Sequence, residues 1–134
     1  MDRLLDRFMA RFMTHAERAA RDGNCSRLAV GAVLRPYRSE VTYIAANQAE
    51  TPCEHVEDTP CRRSVHAEAR VVAAAARAGD STEGAQVFVT HAPCEVCAML
   101  LVGAGVRAVY WRHPYRDMRG IELLARNAVS VVQL

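Results

Sequence analysis

The chain has no lysine: all 17 of its basic residues are arginine, set against 15 acidic residues. That absence excludes chemistry that forms a Schiff base on a lysine. The formal charge of +2 is too even to argue for a nucleic-acid duplex or a membrane surface as partner, so a small molecule is the expected one. Nor does any uninterrupted apolar run exist that could serve as a signal peptide or membrane span, which makes a cytoplasmic protein the expectation.

Five cysteines are present. An odd number in a reducing compartment reads as metal ligands, nucleophiles or small core residues, not as a disulfide framework. With 134 residues, 51% of them hydrophobic, the chain can build one core, and residues 1–134 are expected to form a single domain.

The periodicity predicts an α/β order of elements. Leu4, Leu5, Phe8, Met9, Phe12, Met13 and Ala16 recur at helical spacing, so residues 2–22 read as an amphipathic helix stopped by Gly23-Asn24. This Met and Phe stripe suits a helix packed on the core better than a partner surface. Residues 28–34 and 41–46 are short β-rich runs that suit a hairpin. Residues 47–63, with two prolines and no apolar period, read as a functional loop. An alanine-rich helix follows over 65–78, stopped by Gly79. After it come a buried strand at 86–90, a helix at 94–105, a strand at 106–111, a helix at 118–127 and a closing strand at 128–134. Strand and helix alternate from residue 65 onward, which argues for parallel strands, and the helix between the last two strands requires a crossover that makes that pair parallel.

Two short segments carry chemistry. Cys94 and Cys97 stand right after Pro93, where a helix begins, and positions i and i+3 put both sulfurs on one face. A helix N-terminus lowers thiol pKa and favours the thiolate that a metal needs. Alone, such a pair could equally be a redox couple or two core cysteines. His66-Ala67-Glu68 opens the preceding helix, so two helix starts converge at the carboxyl ends of neighbouring strands, where α/β sheets bind ligands. One histidine and two cysteines give three ligands and leave one tetrahedral position open, as in catalytic zinc sites. Glu68, two residues from His66, is poorly placed to share coordination on a regular helix and well placed to move a proton.

His66-Ala67-Glu68 followed by Pro93-Cys94-Glu95-Val96-Cys97 matches the zinc deaminase signature. Together with NCSRLAVGAVL (24–34), CRRSVHAEA (61–69), VTHAPCEVCAMLL (89–101) and AVYWRHPYRDMRGIELL (108–124), it resembles the cytidine and deoxycytidylate (dCMP) deaminase family over most of the chain from residue 20. The resemblance implies a three-layer α/β/α fold whose five-stranded mixed sheet has its last two strands parallel. It also implies a homo-oligomer and hydrolytic deamination of a cytosine nucleotide, dCMP to dUMP. His66, Cys94 and Cys97 would hold Zn2+ and Glu68 would transfer protons. By the same pattern Ala67 and Asn47 contact base and sugar, although Asn47 could instead be an ordinary strand-end residue. The family's Gly-x-Asn-Gly segment reads Ala45-Ala46-Asn47-Gln48 here, a departure that weakens the transfer of allosteric control and of substrate specificity.

A nucleotide's 5′-phosphate needs a fixed donor array, for which arginine offers the best fork. Arg62 and Arg63 before the His66 helix, and Tyr115-Arg116 after strand 106–111, are the candidates. Cys25, Cys53 and Cys61, with His55, could form a second, structural zinc site of four closed ligands; free thiols are the alternative. A tRNA adenosine deaminase would share the catalytic zinc but needs an electropositive RNA face, against which the near-neutral charge argues. Glu68 and the open ligand position argue against a non-catalytic zinc module. Deamination of a free nucleoside or an analogue stays open.

Overall fold

The computed structural model describes residues 3–25, 28–49 and 64–134. In chain order the elements are α1 (Arg3–Ala20), β1 (Gly31–Arg35), β2 (Tyr43–Ala46), β3 (Gln48–Ala49), β4 (Ser64–Val65), α2 (Ala67–Ala78), β5 (Gln86–His91), α3 (Glu95–Gly103), β6 (Ala108–His113), α4 (Arg119–Arg126) and β7 (Ser130–Gln133). The main sheet has the order β2-β1-β5-β6-β7. Strand β1 runs antiparallel to β2 and β5, whereas β5, β6 and β7 are parallel. Helices α3 and α4 supply the two parallel crossovers, as the alternation of elements requires.

Strand alternation divides the core between two helical layers. Ala32 and Leu34 of β1, Val87 and Val89 of β5, and Val109 and Trp111 of β6 pack with Val71 of α2, Leu101 of α3 and Leu124 of α4. The residues between them point the other way: Val33 and Phe88 meet Met13 and Ala16 of α1. There the Phe88 ring stacks 4.7 Å from Tyr110 and 5.3 Å from Phe12. The second half of the α1 stripe, Met9, Phe12, Met13 and Ala16, therefore packs on the sheet, whereas Leu4, Leu5 and Phe8 are exposed, and the result is the expected α/β/α sandwich with a five-stranded mixed sheet. Because β5 is covered on both faces, its sequence is a near-continuous apolar run, not an alternating one.

Close approach fixes α1 on the sheet. A β-carbon on Gly31 would overlap the Ala16 carbonyl oxygen, so only glycine lets the helix lie flush on β1.

Three expectations are corrected. The run 28–34 begins its ladder only at Gly31, because the Asn47 side chain takes the preceding backbone: its amide donates to the Leu28 carbonyl at 2.7 Å and its oxygen accepts from the Val30 N–H at 2.9 Å. Within 47–63, Gln48–Ala49 is a short strand paired antiparallel with Ser64–Val65. Val65, expected to open a helix, thus belongs to β4, and His66 in an extended conformation (φ −67°, ψ 149°) turns the chain into α2. A two-residue ladder is too short to impose a hydrophobic period. No described helix is long and apolar enough to cross a membrane.

Candidate active site

Two helix starts build the site. Cys94 is the N-cap of α3, and its sulfur accepts the Cys97 backbone N–H at 3.4 Å. His66 holds the same position before α2 without capping it, which leaves its ring to point elsewhere. That ring meets the cysteines: His66 Nδ1 lies 3.2 Å from Cys97 Sγ and 3.6 Å from Cys94 Sγ. The ligand atoms of the three residues lie within 4.8 Å of one another, and no cysteine among them is in a disulfide.

The donor set and its spacing fit zinc. With Zn–S near 2.3 Å and Zn–N near 2.05 Å, a tetrahedral site separates nitrogen and sulfur by roughly 3.6 Å. The observed separations are close to that edge length, so little movement would be needed to place an ion between them.

The electrostatics suit a cation as well. The hydrogen bond from the Cys97 side chain, followed by those from His66 and the Cys97 backbone, holds the Cys94 thiol down to about 4. Cys97, the donor in that bond and largely buried, is pushed up. The pair thus shares one proton, which a metal would replace.

Glu68 lies in the first turn of α2 and is 4% exposed. Burial raises its pKa above the usual carboxylate range, only partly opposed by its own backbone amide and by His66. A carboxylate next to a candidate metal cluster, with its pKa raised, can both accept and return a proton.

These groups lie in a cleft whose lining also includes Asn47, Ala67 and Tyr115. Asn47 is buried and serves as a brace for residues 28–30, but its amide has a second hydrogen beyond the one donated to Leu28. Arg116 is exposed, with its guanidinium 5.8 Å from the centre of the Tyr115 ring, and does not form part of the cleft wall. Arg62, Arg63, Cys53, His55 and Cys61 lie outside the described residues. Cys25, the remaining member of the candidate second metal set, borders this same cleft.

The sequence reading missed other lining residues. Leu28, Val30 and Ala92 add apolar wall, while Ser64 and His91 add polar groups. The Ser64 hydroxyl is buried without a hydrogen-bond partner among the described residues. His91 was legible in principle, since it ends a strand at the carboxyl edge, three residues before Cys94. Nothing in the local pattern marks Ser64.

Comparison with known proteins agrees with this geometry. The model of the family described as "Cytidine and deoxycytidylate deaminase zinc-binding region" matches residues 6–113. The dCMP deaminase of cyanophage S-TIM5, solved in complex with dCMP and dUMP, superposes with a TM-score of 0.82 at 29% identity, covering 100% of this chain and 99% of that one. ComE operon protein 2 of Bacillus subtilis (strain 168) is 29% identical over 92% of this chain and 69% of its own length. Deoxycytidylate deaminase of Enterobacteria phage T2 is 34% identical over half of this chain, a match that spans 36% of the phage protein. With its family signature matched over most of its length and its fold shared throughout with a solved member, this chain belongs to the zinc-binding cytidine and deoxycytidylate deaminase family.

Proposed function

We propose that the protein is a zinc-dependent hydrolase that converts dCMP to dUMP and ammonia. The observation that carries this reading is the buried Glu68 carboxylate beside the His66, Cys94 and Cys97 cluster in one cleft. The cyanophage enzyme solved with dCMP and dUMP supports a nucleotide over a nucleoside.

His66 Nδ1, Cys94 Sγ and Cys97 Sγ would hold the ion, which when bound supplies the Lewis acidity that makes water a nucleophile near neutral pH. Glu68 takes the proton of the attacking water and passes it to ring N3, which makes C4 more electrophilic. It then collects the remaining proton of the added hydroxyl and gives it to the exocyclic amine. The C4–N bond breaks, ammonia leaves and a C4 carbonyl remains. Burial raises its pKa, which favours uptake of the proton it then hands on. The Ala67 backbone and the uncommitted amide hydrogen of Asn47 face base and sugar, and Arg63, Tyr115 and Arg116 serve the phosphate end.

On this reading residues 1–134 act as one cytoplasmic deaminase domain in a homo-oligomer. Cys25, Cys53, His55 and Cys61 hold a second, structural zinc. Metal analysis tests that part: two ions per chain support it, and one ion with Cys53→Ser leaving stability unchanged contradicts it.

The function is tested by ammonia release from dCMP, CMP, deoxycytidine, cytidine and an adenosine-containing tRNA. The fastest turnover is expected on dCMP. Equal rates on dCMP and deoxycytidine would overturn the nucleotide assignment, and turnover of the tRNA alone would overturn the cytosine assignment.

A further inference from the structure

Thr90 and His91 end β5 beside the cleft. The Thr90 hydroxyl is buried; its oxygen accepts the Gly31 N–H at 3.1 Å and stands 2.9 Å from His91 Nδ1. A hydroxyl has one proton to give, and His91 Nδ1 is the acceptor available for it among the described residues. The opposite arrangement, with Nδ1–H donating to Thr90, would leave that buried hydroxyl proton unpaired. Nδ1 is therefore the acceptor, and the neutral ring has its proton on Nε2.

Burial, and secondarily His113, lower the His91 pKa, which keeps the ring neutral at neutral pH. The two rings stand 5.1 Å apart. His91 Nε2 has no hydrogen-bond partner among the described residues. An oriented N–H donor thus borders the cleft with nothing among the described residues to receive it. On the proposed function the base lies at the His66, Cys94 and Cys97 cluster and Glu68, whereas His91 and His113 end β5 and β6 next to the Tyr115-Arg116 segment. Among the described residues, Glu68 is the one carboxylate in the cleft lining.

We propose that His91 is a specificity-determining residue whose Nε2–H, oriented by Thr90, donates to the 5′-phosphate of the substrate. Thr90 is the positioning residue. This rests on the nucleotide reading above, and the measurements separate the two.

Long-range 15N–1H spectra of the zinc-loaded wild type should show His91 protonated on Nε2. Adding dUMP should move that resonance, and adding deoxyuridine should not. Loss of one charged hydrogen bond predicts that His91→Phe, still holding its zinc, loses about 10- to 100-fold more in kcat/KM on dCMP than on deoxycytidine, mainly through KM. Thr90→Val should give a mixture of His91 tautomers and a raised KM for dCMP, and Thr90→Ser should restore both.

A wild-type ring protonated on Nδ1, or a dUMP titration that leaves His91 unmoved, overturns the proposal whatever the variants do. So does a wild type that prefers dCMP while His91→Phe keeps that preference. A wild type indifferent to the phosphate overturns the nucleotide reading and takes the proposal with it, although the tautomer set by Thr90 would stand.

Discussion

Gly120 lies against Pro93 so closely that a β-carbon on it would overlap the Pro93 carbonyl oxygen and come within 2.9 Å of the Cys94 carbonyl. The start of α4 therefore presses on the turn that presents Cys94. Arg119, one residue earlier, reaches Glu95 of α3 at 3.4 Å across the same junction. Helix α4 takes no part in the metal cluster, yet it sets where that turn can be.

Gly120→Ala should accordingly push the Pro93–Cys94 turn outward. Overpacking of this kind costs about 1–3 kcal/mol, and weaker zinc binding should accompany it. Gly103→Ala is the control: it lies in α3 with nothing within 4 Å, so the better helix propensity of alanine should leave the protein unchanged or more stable by up to about 1 kcal/mol. Thermal unfolding with and without zinc measures both. A Gly120→Ala protein that matches wild type in Tm and zinc affinity would contradict this account of the junction.

His66→Ala, Cys94→Ala and Cys97→Ala should each lose the catalytic metal on desalting. The pH dependence has a definite sign. The metal-free pair keeps one proton because Cys97 is pushed up while Cys94 is held near 4, and that proton must leave when zinc binds. Zinc affinity should therefore fall as pH falls, by about tenfold per unit or more through the neutral range. Calorimetry in buffers of different ionisation enthalpy counts the proton. Affinity independent of pH would show that the cysteines are not the ligands.

For the phosphate end, Arg63→Ala and Arg116→Ala should be compared on dCMP and deoxycytidine. A charged hydrogen bond is worth about 1.5–3 kcal/mol, so the responsible arginine should lower kcat/KM for dCMP by about 10- to 100-fold and barely affect the nucleoside. Arg116 stacks on Tyr115 and does not line the cleft, so its part requires the side chain to swing inward. If neither substitution separates the two substrates, the phosphate is held by other groups.

The residues that meet in the metal cluster were legible because each owes its position to a local rule. Cys94 and Cys97 share a face by helical spacing, and His66 and Glu68 stand at the start of α2, although the strand before them, β4, lies in the small antiparallel ladder and not in the main sheet. The parallel run of the last strands followed from the intervening helix, and α1 from its stripe. What was not legible depends on partners far away in sequence. Asn47 delays β1 by bonding residues 17 and 19 positions earlier. Gln48 pairs with Val65, 17 positions on, and His91 Nδ1 meets the hydroxyl of a threonine that accepts from Gly31. Hydrogen bonds of this range leave no period in the chain.

The most direct test of the central claim is ammonia release from dCMP by wild type and by Glu68→Gln, each verified to hold its catalytic zinc. Glutamine keeps the shape of the side chain and cannot take the proton. The account predicts equal metal content and a rate reduced by about a hundredfold or more, the usual contribution of a positioned acid–base group. A fully zinc-loaded Glu68→Gln enzyme that kept a tenth or more of the wild-type rate would contradict it.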